Sequence, residues 1–319
     1  MNIVVVGSMN MDVVNRVSHH PLPGETIKGK GTSYIPGGKG ANQAVAAARA
    51  GASVQMVGAV GTDGFGKELI ASIARDGIDT SKILEKEGTS GLAFITVNDE
   101  GENNIILSEG ANGKVTPDDV RTALGNANFD ALLVQNEILL ESSYEAIRVA
   151  HEKSAKVFYN PAPAHAVPKD ILQLVDILVV NETEASVVLG KPLSTHTDYA
   201  DAAKQLVTLG AKAVILTLGS SGSLYADNAL TVHVPAFRVQ AVDTTAAGDT
   251  FIGAFASVFS GENPMESLRF ASAASAIAVT RSGAQTSIPE HGEIVEFLQS
   301  SVETLPHFER WESSHVDHD

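Results

Sequence analysis

Short, unbroken apolar runs alternate with helix-periodic segments over most of this chain. The runs Ile3 to Val6, Val54 to Val60, Ala131 to Val134, Val157 to Tyr159, Ile177 to Val180 and Ala213 to Leu218 are rich in β-prone residues. Being apolar at consecutive rather than alternate positions, they predict strands covered on both faces. Between them, the 3.6-residue period predicts helices over Ala41 to Ala50, Gly66 to Arg75, Glu141 to Lys153, Glu182 to Leu189 and Tyr199 to Leu209. Three more helical patterns, Gly248 to Phe259, Met265 to Thr280 and Glu290 to Leu298, complete the body. Such alternation calls for parallel strands joined by right-handed crossovers, with a ligand crevice at the carboxyl ends of the strands.

Two regions break the rhythm. Asp12 to Ile35 and Thr89 to Leu107 carry β-like stretches separated by Gly, Pro, Asn and Asp, with Asn98-Asp99-Glu100-Gly101 placed as a hairpin turn. A small sheet built from about 12–36 and 89–110 would project from the body and cover the crevice; two surface hairpins without a ligand role are the alternative. The fold class read from the pattern is α/β: one domain over 1–300, a mostly parallel central sheet with helices on both faces, and a small β-sheet lid. The segment 305–319 mixes Pro, His, Ser and acidic residues with little periodicity and reads as a flexible C-terminal tail.

Composition narrows the class further. With 44% hydrophobic residues and 28 glycines among 319 residues, the chain has the makings of a large core and many tight turns. The formal net charge of −16, with no basic patch, argues against nucleic acid as a partner. The absence of cysteine excludes disulfides, zinc-thiolate sites and a thiol nucleophile, and fits a reducing compartment. The apolar run after Met1 is too short for a signal or membrane segment, so a cytoplasmic protein without membrane partners is expected.

Asp243-Thr244-Thr245-Ala246-Ala247-Gly248-Asp249-Thr250-Phe251 is the stretch richest in chemistry. It sets small residues and then a carboxylate at the mouth of a helix, where free amides and the helix dipole favour an anion. Asp249 there could deprotonate a hydroxyl while the amides neutralise a transferring phosphoryl group; helix capping is the plainer explanation. Gly37-Gly38-Lys39-Gly40-Ala41-Asn42-Gln43 lacks the spacing of a P-loop and of a dinucleotide fingerprint. Gly37 and Gly38 instead allow close backbone approach while Lys39 and Asn42 supply polar groups suited to a polyhydroxylated ligand; a Gly turn into a tightly packed Ala helix is the alternative. Asn10 and Asp12 follow the first strand, where an amide and a carboxylate could hold neighbouring sugar hydroxyls or simply form a turn, in which both residues are common. Glu184, in Asn181-Glu182-Thr183-Glu184, could hold Mg²⁺ through water, or the four residues could be a capped acidic first turn. Leu218-Gly219-Ser220-Ser221-Gly222 could be a nucleotide-binding turn or a hairpin connection.

Taken together, these residues resemble the ribokinase branch of the PfkB carbohydrate-kinase family from about Ile3 to Leu298. The segment Gly37 to Ala46 is similar to the family's N-terminal signature and Asp243 to Phe251 to its C-terminal one, with Asn160-Pro161-Ala162-Pro163 and Asn181 to Glu184 between them. The resemblance implies a ribokinase-like fold and ATP-dependent phosphorylation of D-ribose at its 5-hydroxyl. It implies Asp249 as the base, with the backbone of Ala246, Ala247 and Gly248 as the anion hole. Asn10, Asp12, Gly38, Lys39, Asn42 and Glu137, with Asp249, would hold the sugar. Asn181, Thr217, Gly219, Gly222, Gly248 and Ser272 would lie along ATP, and Glu184 would organise Mg²⁺ through water. A K⁺ site would draw on Asp243, Thr245, Ala278, Arg281, Gly283 and Ser287, several through carbonyls, making K⁺ an activator. A homodimer through the lid is implied too. Two departures stand out: Ser272 occupies a place where relatives often carry Asn or His, and Ala246-Ala247 replaces the Gly-Ala of many members.

The nearest competing reading is another sugar kinase of the same family, a deoxyribose kinase in particular; Asn10 favours ribose because its amide suits a 2-hydroxyl. A sugar or nucleotide sensor without catalysis is a second alternative, against which Asp249 and Gly248 argue. A nicotinamide-dependent oxidoreductase is a third, weakened by the missing dinucleotide fingerprint.

Overall fold

The computed structural model describes residues 1–193, 196–261, 263–301 and 309–310. The chain opens with β1 (Asn2–Val6), β2 (Asn10–Arg16) and β3 (Gly31–Gly37), then helix α1 (Lys39–Arg49), β4 (Ser53–Gly61), α2 (Gly64–Ala74) and β5 (Asp79–Lys86). A hairpin, β6 (Gly91–Val97) and β7 (Asn103–Ser108), leads to α3 (Pro117–Gly125), β8 (Ala131–Val134), α4 (Leu140–Glu152) and β9 (Lys156–Tyr159). Next come α5 (Lys169–Leu172), β10 (Ile177–Asn181), α6 (Glu182–Leu189), α7 (His196–Leu209), β11 (Ala213–Thr217), β12 (Ser223–Asp227) and β13 (Thr231–Val234). Helices α8 (Ala247–Val258), α9 (Pro264–Ala278) and α10 (His291–Ser300) close the body, and β14 (Glu309–Arg310) pairs with β13. Of the tail expected over 305–319, only those two residues fall among the described ones.

The large sheet runs β14-β13-β12-β11-β10-β9-β8-β1-β4-β5 and is parallel from β11 to β5. Its strands read as unbroken apolar runs because each alternates between two cores. Val4, Val6, Leu132, Val134, Leu178, Val180, Val214 and Leu216 join the core beneath α3 to α7. Ile3, Val5, Ala131, Leu133, Ile177, Val179, Ala213 and Ile215 face the core shared with α1, α2 and α8. The antiparallel pairs β11–β12 and β12–β13 form one margin. Sequence pattern did not single out β5, β12, β13 or α3, although Thr116-Pro117-Asp118-Asp119 carries the start signals of α3: a capping box and a Pro in the first turn.

The second sheet has order β3-β2-β6-β7 and forms the lid, spanning 10–37 and 91–108. Its first strand begins at Asn10, so Asn10 and Asp12 belong to the root of the lid rather than to a loop after β1. The strand order reverses across β1: the chain proceeds outward through β4 and β5, then returns to β8 on the other flank. That reversal opens a crevice at the carboxyl ends. Helices α1 and α8 cross it in close contact. A Cβ at Gly253 would sit 2.5 Å from the Gln43 carbonyl oxygen and 2.6 Å from the Ala46 Cβ, so only glycine lets the two helices approach this closely.

Candidate active site

The end of each strand delivers one part of the site. Ser8 lies between β1 and β2 and Asn10 and Asp12 open β2; Glu137 follows β8 and Asn160 follows β9; Asn181 ends β10 with Glu184 just beyond it, and Thr217 ends β11. The N-terminus of α1 brings Lys39, Asn42 and Gln43, and that of α8 brings Asp249. A pocket of about 240 Å³ lies among Lys39, Asn160, Asn181, Glu184, Thr217, Thr244, Ala246, Ala247, Gly248 and Asp249.

Asp249 does not cap its helix. The residue at the cap is Ala246, in the left-handed region (φ 58°) without a side-chain cap bond, and Asp249 lies buried in the first turn. Its Oδ2 accepts from Nδ2 of Asn42 at 3.1 Å and its Oδ1 from Nε2 of Gln43 at 3.0 Å. The carboxylate therefore belongs to the crevice, and the capping explanation fails. A left-handed alanine costs on the order of 1 kcal/mol that glycine would not incur, and such strain concentrates at working loops. The Ala247 N–H points to the Thr244 carbonyl at 3.2 Å, which leaves the amides of Gly248 and Asp249 as the first-turn donors geometry makes available to an anion.

On the lid side, Glu137 gathers three donors on Oε2: the Ser8 hydroxyl at 2.5 Å, the Lys39 backbone N–H at 3.0 Å and Nδ2 of Asn10 at 3.4 Å. Asn112 Nδ2 donates to Oδ1 of Asn10 at 2.7 Å, and Asn112 also exchanges bonds with the Met9 backbone. Asn10 thus has a fixed orientation, its NH₂ toward Glu137. Gly38 enters α1 with φ 92°, and a Cβ there would lie 2.7 Å from the Asn10 nitrogen. Burial, then the negative charges of Glu137 and Asp249, push the Asp12 carboxyl up to about 7. The Asp249 carboxylate, with Glu137 and Glu184 adding to it, outweighs burial at Lys39 and holds its ammonium charged. The electrostatic design is one buried cation among four acids.

Asn181 and Glu184 form the capping box that local sequence suggested: Glu184 N–H donates to Asn181 Oδ1 at 2.8 Å and Asn181 N–H to Glu184 Oε2 at 3.0 Å. Asn160 Nδ2 adds a second bond to that Oε2 at 3.2 Å. Two of these bonds fall on Oε2, Glu184 lines the pocket, and burial raises this carboxyl. A single carboxylate with an available oxygen fits a divalent ion that keeps most of its water; among the described residues no group of three or more acidic or His side chains forms a direct metal cage.

The loop before α8 is tied to the end of α9. Val242 and Asp243 amides both donate to the Val279 carbonyl, at 2.7 and 3.2 Å. Asp243 Oδ1 accepts from the Thr245 amide and hydroxyl, at 2.9 and 2.6 Å, and its Oδ2 from Gly283 N–H at 2.9 Å. Burial works to raise the Asp243 carboxyl, yet the bonds from Gly283 and Thr245, with the charge of Arg16, hold it below the usual range. Asp243, Thr245 and Gly283 are thus brought together. Ser287 is buried nearby with its hydroxyl on the Ala284 carbonyl, the Ala278 carbonyl receives the Arg281 amide, and the Arg281 guanidinium turns away to Glu293. The Asp243 carboxylate thus accepts from two amides and one hydroxyl of the chain.

Three expected ATP contacts stand apart from the pocket lining: Gly219, Gly222 and Ser272. Gly222 (φ 97°) would place a Cβ 2.1 Å from the Val234 carbonyl oxygen, so its glycine serves the turn from β11 into β12. Ser272 is buried on α9. Sequence reasoning missed Ser8, Gln43, Asn112, Gln135 and Thr244 as contributors. Gln43 lies inside the quoted Gly-rich motif and Gln135 directly after a predicted strand, and those positions were the available signal. Among the described residues no helix is long and apolar enough to cross a membrane.

Comparison with known proteins agrees with this geometry. The family model for pfkB family carbohydrate kinases matches residues 1–291. A ribokinase of Schizosaccharomyces pombe is 45% identical, covering 92% of this chain and 96% of its own. A deoxyribokinase of Salmonella typhimurium is 37% identical, over 93% of this chain and 99% of its own. The structure of Arabidopsis thaliana ribokinase complexed with ribose and ATP superposes with a TM-score of 0.85 at 32% identity, covering 93% of this chain and 98% of that one.

Proposed function

The chain belongs to the pfkB family of carbohydrate kinases, and from that membership we propose how its crevice carries out ATP-dependent phosphorylation of ribose, with the sugar's 5-hydroxyl as acceptor. The observation that carries this reading is the Asp249 carboxylate, turned from its own helix into the crevice and bound on both oxygens by α1. Asn10, Asp12, Lys39, Asn42 and Glu137 hold the sugar from the lid side. The buried Asn42 Oδ1, without a protein partner, is an acceptor for one of its hydroxyls. ATP lies along Asn181, Thr217 and the start of α8.

In the transfer, the 5-hydroxyl oxygen bonds to the γ-phosphorus as the bond to the bridging oxygen of ADP breaks, and the hydroxyl proton passes to Asp249. Such transition states are loose, so positioning and charge stabilisation supply most of the acceleration and the proton leaves late. The amides of Gly248 and Asp249 and the Lys39 ammonium face the charge that develops. Mg²⁺ bound with ATP would neutralise phosphate charge, with Glu184 holding it through water. K⁺ beside Asp243 and Thr245 would keep the loop before α8 in shape. The reaction draws on cytoplasmic ATP, and that is the compartment this reading assigns.

The lid supports the homodimer. Val13 of β2 pairs with both Tyr34 and Phe94, and Phe94 with Ile106, which makes one apolar row across four strands. Tyr34, Phe94 and Ile106 of that row are 56%, 46% and 70% exposed. Large apolar side chains on a thin sheet are a surface for a second copy.

The deoxyribokinase at 37% identity keeps one rival reading in play. Asn10, locked by Asn112, is the feature that favours ribose, because a sugar without its 2-hydroxyl would leave that amide underused. Release of ADP measured with ribose, 2-deoxyribose and fructose tests the reading: ribose should be the preferred acceptor, and faster turnover of 2-deoxyribose would refute it.

A further inference from the structure

The two donors on Asp249 have different surroundings. Asn42 keeps an unpartnered Oδ1, which the proposed function gives to a sugar hydroxyl, whereas Gln43 is fully buried and does not line the pocket described above. Its Oε1 accepts from Nε2 of Gln135 at 2.6 Å. Gln135 is equally buried and its backbone carbonyl is fixed by the Ser143 hydroxyl at 2.7 Å. The polarity of this line is forced. An ionised carboxylate only accepts, so Gln43 must turn its NH₂ to Asp249 and its carbonyl to Gln135, and Gln135 must answer with its own NH₂.

Stability alone does not account for the pair. Burying an amide is unfavourable unless its groups are bonded, and Gln135 Oε1 is buried without a partner. An apolar side chain of similar volume would fill the position without that cost. We infer that Gln43 and Gln135 are positioning residues for the phosphoryl transfer: anchored by Gln135, Gln43 fixes the rotation of the Asp249 carboxylate so that the other oxygen faces the acceptor hydroxyl. Asn42 cannot do this alone, because it also contacts the sugar. The inference rests on the reading of Asp249 as the base.

The test is steady-state kinetics of Gln43→Leu, Gln135→Leu and the double variant, alongside Asp249→Asn. Gln43→Leu should lower kcat about 10- to 100-fold and leave both KM values within about threefold, the mark of an interaction made in the transition state. Gln135→Leu should lower kcat about 3- to 10-fold, and the double variant should be no worse than Gln43→Leu, because Gln135 acts through Gln43. Parental kcat in Gln43→Leu with an inactive Asp249→Asn would overturn the relay and spare the base. An active Asp249→Asn would overturn both. Equal loss from Gln135→Leu in either background would also overturn the relay. Should Gln43→Leu fail to fold, Gln135→Leu decides: kcat loss at unchanged KM supports the inference, and parental kcat refutes it.

Discussion

With Asp12 in the sugar site as proposed, sugar binding should depend on pH. The Asp12 carboxyl stands at about 7 in the free protein against an ordinary 3.8, because it is buried near Glu137 and Asp249. The difference corresponds to about 4 kcal/mol at ~1.4 kcal/mol per pH unit. For a raised folded value, the stability that the proton confers is fully present below pH 3.8 and lost as pH rises through about 7. Asp12→Asn should therefore be more stable than the parent above pH 7, by up to about 4 kcal/mol, and the advantage should shrink steadily toward pH 4. Chemical denaturation at pH 5 and 8 measures it.

Sugar binding runs the other way. Hydroxyl donors favour the carboxylate, so below about pH 7 ribose binding must release the Asp12 proton, and affinity should rise with pH before levelling off. Calorimetry at pH 6 in two buffers of different ionisation enthalpy should give different apparent binding heats, their difference reporting close to one proton released per site. Heats that do not depend on the buffer, or affinity that improves as pH falls, would refute the reasoning.

Gly253→Ala should destabilise the protein by about 1–3 kcal/mol and lower kcat, since a methyl group forces α8 away from Gln43 and Ala46 and shifts Asp249 with it; thermal melting and ADP release check both. Asp243→Ala should abolish activation by K⁺ with little effect on ribose affinity, read from rates in K⁺ and in a large organic cation. Ile106→Asp places a charge on a side chain 70% exposed in the lid; it should convert dimer to monomer in sedimentation without unfolding the body, and an unchanged dimer would exclude this face.

The body was legible because its strands carry the marks of two-sided burial: Ile3 to Val6 and Ile177 to Val180 are apolar at every position, each residue serving one of two cores. The margin was not, because Ser223–Asp227 and Thr231–Val234 are short, mixed in polarity and bounded by turn residues. Asp249 was legible as a carboxylate at a helix mouth. Its partners were not, because Gln43 and Gln135 lie 92 residues apart and nothing local distinguishes a buried, bonded glutamine from an exposed one. Asn112 is hidden likewise: its bond to Asn10 spans 102 residues. The backbone-dependent role of Gly222 also needed the turn itself, since a nucleotide loop and a hairpin use the same residues.

Replacing the Asp249 carboxylate by its amide tests the account most directly. Because Asp249 accepts from both Asn42 and Gln43, an asparagine must set its own NH₂ against one of those donors, and a stability loss of about 1–3 kcal/mol is expected. Folded Asp249→Asn, assayed by ADP release with saturating ribose and ATP, should turn over on the order of 10²- to 10⁴-fold more slowly than the parent. Parental turnover by that folded variant would contradict the assignment of the base.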